Sequence, residues 1–284
     1  MISTVLKKKI ELFLSDNFSQ FKVLKSVLNI SGGCINQSYK IETNFQVLFL
    51  KYNSNAAEDF FEKEAMNLSL ISQSNTIMTP KVLAYNKEFI ILEFIDNNLT
   101  FDTFFWDRFA KSLADMHRIS NSYFGLDYNN YIGTYNQNNK KHQTWVEFYI
   151  NERLIPLIRT NDLDLDLLKS FDNLFNIMND VFIEEPPSLL HGDLWSGNFM
   201  ISDNQPFIFD PAIYFGSREM DISMSKLFGG FDDRFYDVYN ECFPLQYNWK
   251  ERLDICNLYP LLVHLKLFGR TYYTQIKKIL DRYS

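Results

Sequence analysis

The sequence predicts an α+β fold of two lobes, a small lobe built on an antiparallel sheet and a large, mostly helical lobe. Short apolar runs with strand-like alternation are concentrated in the first third of the chain, whereas long runs with helical spacing fill most of the rest. The 284 residues are 46% hydrophobic, which is enough for a sizeable core. We place the boundary near Asn97, so the lobes are residues 1–97 and 98–284.

The first lobe begins with MISTVLKKKIELFLSDNF, which predicts an amphipathic helix rather than a signal peptide, because Glu11 and Asp16 interrupt it. VLNI, NQSYKIET and FQVLFLKY predict three successive strands with a turn at Thr43-Asn44. Helical spacing predicts a helix over residues 56–71. KVLAY and FIILEF then predict two more strands that complete the sheet.

The second lobe is predicted to be helical apart from two short strands and one long loop. FDTFFWDRFAKSLADMHRI, WVEFYINERLIPLI and LDLLKSFDNLFNIM predict helices, and the polar residues 128–143 predict a surface loop. NFMIS and FIF predict the two strands. After Met220 the chain returns to helices and continues so to its end.

Charge and cysteine content exclude several classes of function. A net charge of −7 and a pI near 5.2 argue against a nucleic-acid surface, which needs clustered lysine and arginine. Every apolar run is shorter than the ~20 residues that span a bilayer. The three cysteines show no metal-ligand spacing. We therefore expect a cytoplasmic protein, a monomer or weak homodimer, with neither nucleic acid nor a membrane as partner.

The strongest chemical signal is HGDLWSGN, which begins at His191, followed by FIFDPA at residues 207–212. Kinases of the H-x-D-x4-N type use the aspartate as proton acceptor and the asparagine as a metal ligand, and a later aspartate also binds Mg²⁺. Asp193 is thus the predicted catalytic base, and Asn198 and Asp210 are the predicted Mg²⁺ ligands. The competing interpretation is a polar turn between two strands, which the joint spacing disfavours.

A lysine and a glutamate of the first lobe complete this pattern. In FQVLFLK, the two-residue period places Lys51 on the same face as apolar residues, where it needs an anionic partner. Glu64 on the following helix is the predicted partner, and Glu62 is the alternative. Without the catalytic loop, the preferred interpretation would be a surface lysine and a solvated glutamate that do not pair. The presence of the catalytic loop makes the pairing of Lys51 with Glu64 the preferred interpretation.

Two weaker signals predict where ATP would bind. Gly32 and Gly33, between two strands and upstream of the lysine, suit a loop that covers phosphates, although most Gly-Gly pairs are ordinary turns. The backbone of Glu93, Phe94 and Ile95 ends the first lobe and is the predicted adenine contact. An interlobe strand without a ligand would have the same sequence.

Three further polar residues favour structural roles. Asp221, in GSREMDI, is predicted to open a helix. In kinase-like lobes an aspartate at such a place often accepts backbone N–H groups of the catalytic loop, and we expect that role here. His117 and His264 lie in apolar, helical surroundings and are predicted to be hydrogen-bonded core histidines.

The combination of HGDLWSGN, FDPAIYFGSREMDISM and KLFGGF closely resembles the fructosamine/ketosamine-3-kinase family. Further similar stretches, SGGCINQSYKI, FGLDYNNYIGTYNQNN, WVEFYINERL and YPLLVHLKLFG, follow in the expected order over nearly the whole chain. The resemblance implies a protein-kinase-like fold, similar to that of aminoglycoside phosphotransferases, and the use of ATP and Mg²⁺. It also implies phosphorylation of the 3-hydroxyl of ketosamines, free or on protein amines, which initiates deglycation.

The same resemblance implies the roles given above for Asp193, Asn198 and Asp210, makes Lys51 the phosphate-orienting residue, and makes residues 93–95 the adenine hinge. The sequence departs from many relatives in two places, which leaves the sugar preference open. They are Lys266, where Asn is common, and Arg270-Thr271, where glycine is frequent.

Trp195 is the predicted substrate residue, because a flat ring two positions after the base suits a sugar; a core anchor under the loop is the alternative.

Two other functions are considered for this sequence. A kinase of another hydroxylated amine, aminoglycoside- or choline-like, is the second function. A nucleotide-binding pseudokinase is the third, which the complete set of catalytic residues disfavours. The sequence has no A-P-E element, which argues against a protein kinase.

Overall fold

The computed structural model describes residues 2–30, 35–97 and 100–283. Its first part contains a five-stranded antiparallel sheet. The strands are Leu24–Ile30 (β1), Gln37–Thr43 (β2), Val47–Tyr52 (β3), Val82–Tyr85 (β4) and Phe89–Glu93 (β5). They pair in the order β1-β2-β3-β5-β4. The predicted strands of the small lobe are all present.

Two helices, Thr4–Asn17 (α1) and Phe60–Ser74 (α2), cover opposite faces of this sheet. Leu48 and Leu50 of β3 pack in the same cluster as α1, whereas Phe49 packs with α2. Because side chains alternate along a strand, Lys51 falls on the α2 face. Helix α2 begins four residues later than predicted, since residues 53–59 form hydrogen-bonded turns instead.

The second part is mainly helical. Its helices are Phe105–His117 (α3), Trp145–Phe148 (α4), Ile155–Thr160 (α5), Leu165–Val181 (α6), Glu219–Leu227 (α7), Asp233–Cys242 (α8), Trp249–Phe268 (α9) and Tyr273–Leu280 (α10). A π-helical turn joins α4 to α5. Two large apolar clusters form the core of this part, one around α9 and the other around α3 and α8. This arrangement confirms the α+β fold with a small sheet and a large helical part; the boundary near Asn97 stays a prediction.

Three short antiparallel pairs interrupt the helices. Their strands are Asn130–Ile132 (β6), Tyr135–Gln137 (β7), Ser188–Leu190 (β8), Phe199–Ser202 (β9), Gln205–Ile208 (β10) and Tyr214–Gly216 (β11). Strand β8 pairs with β11, and β9 pairs with β10. Asp203 and Asn204 both have positive φ, as a tight two-residue hairpin turn between β9 and β10 requires. The two predicted strands are thus confirmed as one hairpin.

The prediction of a surface loop over residues 128–143 is wrong. The segment contains β6 and β7, and Asn130, Gln137 and Asn139 are each at most 1% exposed. Their amide groups find hydrogen-bond partners inside the protein, so polar composition did not require solvent exposure. Across the described ranges, no helix is long and apolar enough to cross a membrane.

Candidate active site

The loop between β8 and β9 holds the predicted base, and a buried aspartate braces it. The His191 N–H donates to Asp221 Oδ2 at 2.7 Å, and the Gly192 N–H donates to Asp221 Oδ1 at 2.9 Å. Asp221 lies in the first turn of α7 and also contacts His117 Nε2 at 3.1 Å. The structural role predicted for Asp221 is confirmed, and His117 is the buried, hydrogen-bonded histidine that the sequence predicted.

The backbone at Gly192 leaves no room for a side chain. Its φ is +79°, and a Cβ added there would lie 2.1 Å from the carbonyl oxygen of Ala212. Any other residue would therefore be strained and would push the loop away from the segment that follows Asp210. Gly192 is therefore the point at which the loop between β8 and β9 contacts the segment that follows Asp210.

His191 also links this loop to the segment around Asp210, by hydrogen bonds. Its Nδ1 accepts from the Asp193 N–H at 3.2 Å, and its Nε2 donates to the Phe209 carbonyl at 3.0 Å. Burial lowers the pKa of His191, which fits a neutral ring protonated at Nε2. His191 thus holds the loop beside the residue preceding Asp210 rather than exchanging a proton.

Asp193 and Asn198 are in direct contact. Asn198 Nδ2 donates to the Asp193 carbonyl oxygen at 2.8 Å and to Asp193 Oδ2 at 3.0 Å. Removal from water raises the pKa of Asp193 to about 7, and the hydrogen bond from Asn198 opposes that rise. A carboxylate with a pKa near neutrality suits a proton acceptor.

Lys51 joins the sheet to the second aspartate. Its side chain is 5% exposed, and Nζ donates to Glu64 Oε1 at 2.6 Å and also contacts Asp210 Oδ1. Two carboxylates thereby offset the cost of burying the ammonium group. Glu62 is exposed, so the alternative partner for Lys51 is wrong.

Asp210 and Asn198 are placed to offer oxygen ligands. Asp210 adopts a left-handed backbone with φ of 57°, a conformation found more often at functional sites, and its side chain is 40% exposed. The amide nitrogen of Asn198 is engaged by Asp193, which leaves its oxygen as the ligand atom. In the described part of the chain, no three His, Cys, Asp or Glu side chains form a metal cluster. These two oxygen donors fit Mg²⁺ that is also held by phosphates and water.

The predicted ATP contacts are described only in part. Gly32 and Gly33 lie outside the described residues. Glu93 ends β5, where its N–H donates to the Lys81 carbonyl at 2.9 Å and is thus engaged by the sheet. Phe94 and Ile95 follow without regular structure, and Lys40 Nζ lies 4.5 Å from the centre of the Phe94 ring.

Trp195 is half-buried, and its ring lies directly over Gly197, where an added Cβ would be 2.3 Å from it. Phe228 packs edge-on against it with ring centres 5.9 Å apart, and His264 lies 4.9 Å beyond Phe228. The prediction of His264 as a core histidine is incomplete, because the half-buried ring belongs to this aromatic group beside the catalytic loop. Phe228 is part of LFGGF, but a phenylalanine among 27 carries no signal by itself.

The GSREMD and LFGGF stretches act as supports for the loop. Buried Arg218 pairs with Glu185 at 2.7 Å, and buried Glu219 pairs with Arg252 at 2.6 Å, which anchors the start of α7 just before Asp221. Gly230 approaches the loop so closely that an added Cβ would lie 2.4 Å from Ser196 Cβ. These contacts explain why GSREMD carries paired charges and why LFGGF has a glycine next to the loop.

A protein-kinase-like fold with a lysine–glutamate pair and an H-x-D-x4-N loop defines an ATP-dependent phosphotransferase. The model of the fructosamine kinase family matches residues 6–284, and the chain belongs to that family. A probable ketoamine kinase of Enterococcus faecium is 35% identical over 277 residues, covering 93% of this chain and 98% of that protein. The chloroplastic protein-ribulosamine 3-kinase of Arabidopsis thaliana is 34% identical over 270 residues, covering 90% and 81%.

Solved structures agree with this assignment. A candidate fructosamine-3-kinase from Thermobifida fusca superposes with a TM-score of 0.88 at 28% identity, covering 96% of this chain and 97% of that one. A thermostable mutant of the aminoglycoside phosphotransferase APH(4)-Ia has a TM-score of 0.68 at 15% identity, with 96% and 98% covered, and this likeness concerns the fold alone.

Proposed function

We propose that this protein transfers the γ-phosphoryl group of ATP to the 3-hydroxyl of a ketosamine, such as a fructosamine or ribulosamine, free or on protein amines. The observation that supports this most directly is the convergence of Asp193, Asn198 and Asp210 with the Lys51–Glu64 pair. The names of the relatives, ketoamine kinase and ribulosamine 3-kinase, supply the substrate class.

Each residue has a proposed task in this reaction. Asp193 accepts the proton of the attacking hydroxyl, and Lys51, oriented by Glu64, binds the phosphates. Asn198 and Asp210 would hold Mg²⁺, which would supply positive charge beside the transferred phosphoryl group. Gly32 and Gly33 cover the phosphates, and the backbone of residues 93–95 contacts the adenine.

A substrate panel tests the proposed function. With Mg²⁺-ATP, we expect phosphorylation of fructose- or ribulose-modified lysine, with the phosphate located on the 3-hydroxyl by NMR, and no transfer to kanamycin or choline. Transfer to kanamycin with none to either ketosamine would favour the second function, a kinase of another hydroxylated amine. The cytoplasmic location and the monomeric or weakly dimeric state expected from the sequence remain part of this proposal.

Replacing Trp195 with alanine tests the substrate side of the site. We expect a higher KM for the ketosamine and a lower kcat, together up to ~10²-fold in kcat/KM, because a reacting hydroxyl misplaced by ~1 Å loses about that much. The KM for ATP should stay nearly unchanged. Steady-state kinetics with each substrate varied in turn measure both effects.

Trp249→Ala is the matched control, since Trp249 is also half-buried and begins α9 outside the aromatic group around Trp195. If the two variants lose stability and activity in parallel, Trp195 is a core anchor under the loop rather than a substrate contact.

A further inference from the structure

The segment that follows Asp210 is held by an unusual set of hydrogen bonds. Three consecutive carbonyl groups each accept from a different carboxamide side chain. The bonds run from Asn67 Nδ2 to Pro211 O at 2.7 Å, from Gln137 Nε2 to Ala212 O at 3.0 Å, and from Asn130 Nδ2 to Ile213 O at 2.8 Å. We call Asn67, Asn130 and Gln137 the carboxamide latch.

The members of the latch also bond to one another. Asn130 Nδ2 donates to Asn67 Oδ1 at 3.2 Å, and Gln137 Nε2 donates to Asn130 Oδ1 at 2.8 Å. All three side chains are at most 2% exposed. A buried amide that loses its partners is costly, so a connected network of this kind has one preferred geometry.

The latch is anchored in the helical core. Asn139 donates to Asn130 Oδ1 at 2.9 Å and in turn accepts from Arg153 at 2.6 Å, and the Tyr259 hydroxyl donates to Gln137 Oε1 at 2.7 Å. Arg153 is fully buried, with its guanidinium 4.1 Å from the centre of the Tyr214 ring. The latch therefore cannot move without disturbing the core around α9.

The other end of the latch lies on α2. Asn67 follows Glu64 by three residues, so the two side chains lie on neighbouring positions of one helix face. Glu64 bonds to Lys51, which contacts Asp210, while Asn67 bonds to Pro211. Helix α2 is thus connected to the Asp210 segment at two adjacent points.

We propose that the carboxamide latch positions α2 and Asp210 relative to each other, so that the Lys51–Glu64 pair and the metal ligand are aligned without any activating event. Protein kinases achieve this alignment through activation-loop phosphorylation and movement of the equivalent helix. Here only residues 211–218 separate Asp210 from α7, and β11 within them pairs directly with β8. This inference rests on the role proposed for Asp210.

Asn67→Leu and Gln137→Met each remove a donor of the latch at nearly constant side-chain volume, and either variant suffices should the other fail to fold. Asn161→Leu is the matched control. Asn161 Nδ2 also donates to two backbone carbonyls, those of Leu157 and Leu262, at 2.9 and 3.3 Å, but it caps α5.

At temperatures where all variants are folded, we expect the latch variants to lose about 10- to 100-fold in kcat, whereas Asn161→Leu stays within twofold of the wild type. Hydrogen exchange measured by mass spectrometry should quicken in peptides covering α2 and residues 209–216 of the nucleotide-free latch variants only. Kinetics and exchange that match Asn161→Leu at equal loss of thermal stability would overturn the proposal.

A double-mutant cycle tests the connection to the lysine pair. If the latch acts through α2, the losses caused by Asn67→Leu and Glu64→Gln should be strongly non-additive, and additive losses would contradict it. Binding of a fluorescent ADP analogue is measured with and without Mg²⁺ in the four proteins of the cycle, which are the wild type, the two single variants and the double variant. This binding does not depend on the acceptor, so the cycle still decides the proposal if the ketosamine assignment fails.

Discussion

Asp193→Asn is expected to lower kcat by about 10²–10⁴-fold while leaving the affinity for ATP nearly unchanged, because general-base assistance is worth about that much and asparagine cannot accept the proton. The carboxylate is well suited to this task, since desolvation raises its pKa to about 7. Asn198 Nδ2 can still donate to the amide oxygen of the new residue, so the loop should keep its shape. Rapid-quench kinetics and isothermal titration with nucleotide measure the two quantities.

Asp127→Asn is the control for loss of one negative charge, because Asp127 is an exposed residue whose carboxylate pairs with Lys141 on the surface. It should behave as wild type. A folded Asp193→Asn enzyme with near-wild-type turnover would end the assignment of Asp193 as the base.

Asp210→Ala is expected to abolish turnover and to remove the strengthening of nucleotide binding by Mg²⁺. Asn198→Ala should reduce turnover and Mg²⁺-dependent nucleotide binding less severely, because an anionic ligand offsets more of the charge of the ion than an amide oxygen does. Titration of nucleotide with and without Mg²⁺ separates the loss of the metal ligand from a general loss of affinity.

Asp210 also contacts Lys51, so its removal leaves a buried ammonium group with Glu64 alone. Asp210→Asn keeps the shape and a neutral acceptor, and it should still lose Mg²⁺-dependent binding. Unchanged ATP turnover by the wild-type enzyme in EDTA would refute the assignment of Asn198 and Asp210 as Mg²⁺ ligands.

The sequence by itself determined the fold and predicted the candidate reacting groups, because both are recorded in local patterns. The two-residue period of β3 separates Leu48 and Leu50 from the face of Lys51, and a tight loop keeps Asp193 and Asn198 in contact. Such arrangements depend on neighbours within a few residues, and the chain order is enough to predict them.

Only the tertiary structure decided which polar residues are buried and what they hold. Asn67 meets Pro211 across 144 positions, and Gln137 meets Ala212 across 75. Composition placed residues 128–143 on the surface, because amide groups usually remain in water unless the fold supplies partners. The grouping of His264 with Phe228 likewise depends on how the elements pack. Hydrogen bonds between distant segments leave no period or spacing in the chain, so packing alone establishes them.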